Sequence, residues 1–121
     1  MADLTLRGQY RRAVNLLSAD QAAEAVIVCR RILEIFPKHI DTYSVLARAY
    51  LMLGEHEKAI SLLQRVLSAD PEHVEARLTL AAIGEEQGLA DETLWHLRRA
   101  FELSPGSVEI RRELCRIYKE R

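Results

Sequence analysis

The chain has 121 residues, of which 49% are hydrophobic and 29% charged, and its formal net charge is -1. A chain of this size can bury one core without metal ions or disulfides, so we predict a single domain. The balanced charge gives no reason to expect nucleic acid or an anionic membrane surface as a partner. No apolar run approaches the ~20 residues of a membrane span, and the first ten residues lack a signal-peptide core, so we expect a cytoplasmic protein.

Three prolines divide the chain at a fixed interval, since Pro37, Pro71 and Pro105 stand 34 residues apart. An interval of this length predicts stacked supersecondary units. Between the prolines, apolar residues recur with the period of amphipathic helices, and no segment alternates as a strand would. We predict an all-α fold of seven helices, with repeats at about 6–39, 40–73 and 74–107 and a terminal helix at 108–121.

The first unit has two alternative registers. When the units are aligned on their prolines, residues 34 positions apart share a column, and counting back from Pro37 places Gln9 and Arg12 in the columns of Tyr43 and Leu46 of the second unit. A one-residue deletion near Ser18 would instead fill the core columns with Tyr10, Ala13, Val14 and Leu17. No unit precedes the first helix, so polar residues on its outer side are expected of a cap. We favour this cap interpretation, although the sequence alone leaves both registers open.

The second unit has the clearest pattern. Its first helix carries apolar residues at i, i+3, i+4 and i+7, namely Tyr43, Leu46, Ala47 and Tyr50. Its second helix repeats the pattern with Ala59, Leu63 and Val66. Gly54 stands between the two helices, where a helix end commonly needs a left-handed residue. The unit therefore predicts an antiparallel helix pair.

The third unit keeps this pattern with three exceptions. It has Arg77 in the aromatic column, Gly84 in the column of Tyr50 and Thr93 in the column of Ala59. A glycine inside a helix costs ~1 kcal/mol relative to alanine. We therefore expect a neighbouring side chain to fill the space beside Gly84, the candidates being Trp95, Phe101 and Tyr118.

The terminal helix, 108–121, places Ile110 and Ile117 on the side that would face a following first helix. Our hypothesis is that the chain belongs to a longer array or that this face is a self-association surface. The residues of that surface would be Ile110, Leu114, Ile117 and Tyr118. The alternative is that the two isoleucines fold back into the core.

The residue pattern of these aligned units resembles the 34-residue pattern of the tetratricopeptide repeat (TPR) family over roughly residues 6–121. The resemblance implies a right-handed superhelix of antiparallel helix pairs, with about three repeats and a final helix. It also implies a non-catalytic adaptor or scaffold without a cofactor, whose first helices line a concave groove that binds a partner peptide or helix. The alternatives are a homo-oligomeric assembly module, or a regulatory fragment of a larger TPR-containing protein or enzyme.

The resemblance assigns groove positions to the first helices. The predicted partner-binding residues are Arg7, Tyr10, Arg11, Val14, Ser44, Val45, Arg48, Leu51, Met52, Leu78, Thr79 and Ala82. The same stripe continues through Asp41, Glu85, Glu86, Arg112, Glu113 and Arg116. We expect Arg11 and Arg48 to hold carboxylates of a partner. Some family members hold a partner's C-terminal carboxylate with Lys and Asn. That ligand is disfavoured here, because four of the positions carry Tyr10, Val14, Val45 and Thr79.

The cysteines and histidines suggest no chemistry. Cys29 and Cys115 fall in core columns of helices that belong to different units of the stack, beyond the ~7 Å reach of a disulfide. We therefore expect both cysteines to be unpaired and buried as small hydrophobic residues. The four histidines, His39, His56, His73 and His96, lie on separate loops and helices. A metal ion needs several donors around one point. We therefore predict neither a metal site nor an enzyme.

Overall fold

The structure, a computed structural model, describes residues 5–120. Seven helices make up this part of the chain, and it contains no strand, which confirms the predicted all-α fold. The helices are α1 (Leu6–Ser18), α2 (Ala22–Ile35), α3 (Ile40–Met52), α4 (His56–Ala69), α5 (Val74–Glu86), α6 (Ala90–Leu103) and α7 (Val108–Glu120). None of the helices in this part of the chain is long and apolar enough to cross a membrane.

The 34-residue interval separates the equivalent helices of successive units, including those of the first unit. The first helices begin at Leu6, Ile40, Val74 and Val108, and the second helices begin at Ala22, His56 and Ala90. A deletion near Ser18 would shift α1 by one residue relative to α2, and no such shift is present. The structure therefore has the register counted from the prolines. Leu17, which only the alternative register placed in a core column, is nevertheless buried.

The turn inside each helix pair uses a left-handed residue. Asp20 has φ 61°, and Gly54 and Gly88, at the equivalent positions, have φ 81° and 74°. Aspartate is among the few residues with a Cβ that tolerate this region. The glycine pattern thus identifies two of the three turns, and Asp20 performs the same role in the first.

Helices α1 and α5 begin with a side-chain cap. Thr5 Oγ1 accepts a hydrogen bond from the Gly8 amide at 3.0 Å, and His73 Nδ1 accepts one from the Ala76 amide at 3.1 Å. Such caps satisfy polar groups that the first turn of a helix leaves unpaired. At the start of α3, His39 Nδ1 instead contacts a side chain, Thr42 Oγ1, at 2.6 Å and caps no backbone amide. The two loop histidines therefore have structural partners.

The chain forms two compact units, one through Asp70 and one from Pro71. In unit 1, α1 packs on α2, α2 on α3 and α3 on α4, and α1 also approaches α3. The Arg30 guanidinium donates a 2.6 Å hydrogen bond to the Tyr50 hydroxyl, which joins α2 to α3. Small residues at the close approaches, such as Ala13, Ala47 and Ala59, are fully buried. These alanines allow the helices to pack closely.

In unit 2, α5 packs on α6 and α6 on α7. Ile117 joins a buried cluster with Ala81, Leu94 and Leu97, and Ile110 is only 2% exposed. The prediction that Ile110 and Ile117 form part of an exposed self-association surface is therefore wrong. Both isoleucines are already packed inside unit 2, Leu114 is half-buried, and only Tyr118 of the four residues is exposed.

The space beside Gly84 is also filled differently from the expectation. Thr93 of α6 stands against the glycine, and its hydroxyl donates to the Leu89 carbonyl oxygen at 2.9 Å. The atoms nearest to a Cβ at residue 84 belong to Thr93 and Leu89, and not to the expected candidates Trp95, Phe101 or Tyr118. The glycine thus permits a close contact between α5 and α6.

Candidate functional site

A groove separates α5 from α7 in unit 2. No Cα atom of α5 lies within 8 Å of one of α7 in the described residues, whereas the equivalent helices of unit 1, α1 and α3, do approach this closely. The face of α7 toward the groove carries long charged side chains, Glu109, Arg112, Glu113 and Arg116. Charged side chains disfavour close helix packing because burial removes their hydration. The groove has a volume of about 580 Å³.

Part of the lining of this α5–α7 groove is apolar or weakly polar. These residues are Leu78, Ala81, Ala82, Thr93, Leu97 and Ile110. Ala81, Leu97 and Ile110 belong to the packed interior of unit 2, so this supported part of the lining is held in place by the core. A supported apolar surface can receive a partner side chain with little rearrangement.

The rest of the lining is charged. It consists of four carboxylates and two guanidiniums: Glu85, Glu86, Glu109, Glu113, Arg112 and Arg116. Arg116 Nη2 donates to Glu85 Oε2 at 2.6 Å and to Glu113 Oε2 at 2.5 Å. The bonds to Glu85 and then Glu113 raise the pKa of Arg116 above its ordinary value. All three side chains remain substantially exposed, so the contribution of these pairs to stability is small.

The predicted binding residues differ in accessibility. Exposed residues are Arg7, Arg11, Arg48, Met52 and Ala82. Half-buried residues are Tyr10, Val14, Leu51 and Leu78. Buried residues are Ser44, Val45 and Thr79. Ser44, Val45 and Thr79 therefore differ from the expected surface positions, because their side chains are buried and offer almost no area to a partner.

The structure groups the predicted residues by unit. In unit 2 it brings together Leu78, Ala82, Glu85, Glu86, Arg112, Glu113 and Arg116 around the α5–α7 groove. In unit 1, Arg11 and Arg48 lie on the neighbouring helices α1 and α3. The prediction did not include five lining residues, Ala81, Thr93, Leu97, Glu109 and Ile110, as groove residues. Of these, Glu109 could have been found, because it shares the column of Asp41 on the first helices.

A second charged cluster lies beside the aromatic column of unit 2. Arg77 is 7% exposed, and its guanidinium carbon stands 4.8 Å from the centre of the Trp95 ring. Its Nη2 donates to the Pro71 carbonyl oxygen at 3.3 Å, and its Nη1 lies 3.5 Å from His96 Nδ1. The buried Nε has no hydrogen-bond partner among the described residues. Burial, and then the charge of Arg99, lower the pKa of Arg77. Arg77 thus replaces the usual aromatic residue by stacking on one.

The two thiols have opposite environments. Cys29 is buried, and burial raises the pKa of its thiol to about 12. Cys115 is exposed on α7, which corrects the expectation that it fills a core column. In residues 5–120, no three His, Cys, Asp or Glu side chains are grouped so that they could hold a metal ion.

Comparisons with known proteins agree with this architecture. A sequence model described as Tetratricopeptide repeat matches residues 4–83 and also 54–92. No curated protein matches the sequence significantly.

Solved structures share the fold at low sequence identity. The first TPR of Spaghetti (RPAP3) bound to the HSP90 peptide SRMEEVD has a TM-score of 0.81 and 17% identity, covering 95% of this chain and 91% of that one. The Sgt2 TPR domain from Aspergillus fumigatus has a TM-score of 0.83 and 18% identity, covering 98% and 80%. MamA has a TM-score of 0.70 and 24% identity over 84% of this chain, which spans 59% of that protein chain.

Proposed function

Because the chain belongs to the tetratricopeptide repeat family, we propose that it is a non-catalytic protein-interaction module, an adaptor or scaffold, whose first helices bind a peptide or helix of a partner protein. The observation that carries this proposal is the α5–α7 groove. Its volume of about 580 Å³ falls within the range typical of ligand pockets, ~300–1,000 Å³. It combines a supported apolar lining with charged groups that can orient a bound chain.

The first helices of unit 1 supply a second proposed surface. Arg7, Arg11 and Arg48 are exposed there, and Met52 is 45% exposed. Guanidinium groups can bind carboxylates in a forked geometry, and methionine adapts its shape to an apolar side chain. We assign to this surface the acidic and apolar residues of a partner, with Tyr10, Val14 and Leu51 completing the contact.

The comparison with RPAP3 supports a peptide as the class of ligand. That protein was solved with the HSP90 peptide SRMEEVD. At 17% identity the similarity concerns the fold, so the peptide itself is not carried over. The proposed partner is therefore a protein segment whose sequence this chain's own surfaces select.

The test is an unbiased selection followed by mapping. Random 12-residue peptides displayed on phage are selected against the whole chain, and the selected peptides are titrated into the ¹⁵N-labelled protein. We expect amide shifts concentrated on α1, α3, α5 and α7. A selection without binders, or shifts concentrated on α2, α4 and α6, would contradict the proposal.

A further inference from the structure

We propose that the α5–α7 groove selects a basic partner segment, in which an arginine or lysine lies next to a small apolar residue. This inference rests on the proposed function and specifies the chemistry of the segment that the groove of unit 2 takes. It follows from three features of the groove: its apolar lining, its excess of carboxylates and the position of Arg116 between two of them.

The apolar lining selects for size and hydrophobicity. Leu78 is half-buried and Ala82 exposed, so both offer surface to an incoming side chain above the buried Leu97. A small apolar side chain, or the aliphatic part of an arginine or lysine, gains by leaving water here. A wholly apolar partner would take water from the surrounding carboxylates and could not replace the lost hydrogen bonds.

The charges select for sign. Four carboxylates and two guanidiniums line the groove, and Arg116 is already shared between Glu85 and Glu113. Glu109 forms no ion pair with any residue that the structure describes. An acidic segment would therefore meet a net negative surface, whereas a basic segment would neutralise it.

Arg116 shows where a cationic head group would lie. Its Nη2 contacts carboxylate oxygens from two helices, Glu85 of α5 and Glu113 of α7, at 2.6 and 2.5 Å. Two carboxylates from opposite sides of the groove are thus close enough to bind one guanidinium. These side chains are exposed, so a partner cation can share them without a large desolvation penalty.

The experiment uses three fluorescein-labelled peptides of one length, ALRALRALA, ALQALQALA and ALEALEALA, titrated into the full chain by fluorescence anisotropy. We expect the arginine peptide to bind at least about tenfold more tightly than the glutamate peptide, with the glutamine peptide between them. The ¹⁵N amide shifts it causes should lie on α5 and α7. Its affinity should also fall with added salt.

Paired variants separate the groove from the general charge of the protein. In the double variant Glu86→Gln/Glu109→Gln, affinity for the arginine peptide should fall about threefold or more. In the control Glu24→Gln/Glu34→Gln, which makes the same charge change on α2, it should stay unchanged. Equal losses in both variants would reduce the effect to nonspecific attraction and overturn the inference.

The remaining outcomes distinguish this inference from the proposed function. If all three peptides bind equally and shift the groove amides, the protein binds peptides but does not select basic ones, and the inference is wrong. Tighter binding of the glutamate peptide overturns it as well. If no designed peptide binds at millimolar concentration while phage-selected peptides do, the inference fails and the interaction module stands. If neither set binds, both proposals fail.

Discussion

Gly84 of α5 and Thr93 of α6 are so close that a Cβ atom at residue 84 would stand 2.8 Å from Thr93 Oγ1. Thr93 cannot move away easily, because it is 2% exposed and its hydroxyl donates to the Leu89 carbonyl oxygen. A β-branched side chain in a helix also has few rotamers. Helix propensity would favour alanine at residue 84, and the contact with Thr93 explains why glycine stands there.

We predict that Gly84→Ala lowers the free energy of unfolding by about 1–2 kcal/mol, although a helical Gly→Ala change ordinarily raises it by up to ~1 kcal/mol. The added methyl group must displace Thr93. In the double variant Gly84→Ala/Thr93→Ala the conflict is absent, so the two changes should show a favourable coupling above about 1 kcal/mol. Guanidinium denaturation followed by circular dichroism measures the free energy of unfolding of Gly84→Ala, Thr93→Ala and the double variant. Additive effects would show that the contact does not exclude alanine.

Ile110 should be important for stability, because it is 2% exposed inside unit 2. We predict that Ile110→Ala lowers the free energy of unfolding by about 2–4 kcal/mol through lost apolar contacts and the cavity left behind. Val108→Ala is the matched control on the same helix, since Val108 is 56% exposed, and it should change stability by less than about 0.5 kcal/mol. Similar effects of the two changes would mean that α7 is not packed as described.

His96 should make stability depend on pH. Burial, and then the Arg77 charge, lower the pKa of His96 below its ordinary 6.5, while Glu92 acts in the opposite direction. The unfolded chain therefore binds the proton at higher pH than the folded chain does. The contribution of neutral His96 to the free energy of unfolding is complete above about pH 6.5, and it decreases as the pH falls below that value.

We predict that the wild-type protein loses more stability than His96→Gln when the pH is lowered from about 7.5 to about 5.5. The difference should be below about 1 kcal/mol, because His96 is half-exposed. Denaturant melts of both proteins at the two pH values measure it. A wild-type protein that loses less than the variant would reverse the sign and contradict the assignment.

The two cysteines should react at very different rates. Cys115 is exposed, whereas Cys29 is buried with its thiol pKa raised to about 12. Only the thiolate is strongly nucleophilic, so we predict that a thiol-specific maleimide labels Cys115 in the native protein and both cysteines after denaturation. Peptide mass spectrometry identifies the labelled residue. Rapid native labelling of Cys29 would show that α2 opens readily.

Arg48 should matter for an acidic partner segment. Arg48→Glu reverses an exposed charge on α3, and we predict that binding of an acidic peptide selected on this protein weakens by more than about 1 kcal/mol. Arg31→Glu makes the same change on α2, outside the proposed surface, and should leave the affinity nearly unchanged. Isothermal titration calorimetry measures both. Unchanged affinity in the Arg48 variant would remove this residue from the site.

The candidate site was only partly predictable. The column pattern identified Glu85, Glu86, Glu113 and Arg116, which line the α5–α7 groove. It also assigned Val45 to the surface, although Val45 is 2% exposed. A helical column gives the direction of a side chain relative to its own helix, but the depth of burial depends on how closely neighbouring helices approach.

The sequence by itself determined the helices, their order and their 34-residue interval, because these depend on local periodicity and on the residues that end helices. Only the tertiary structure decided that Ile110 and Ile117 are packed inside unit 2 and that Thr93 lies against Gly84. It also decided that no Cα atom of α5 lies within 8 Å of one of α7 in the described residues, so that only side chains join these two helices. The physical reason is that packing depends on side chains from two or three helices at once, whereas helix formation depends mainly on neighbours along one.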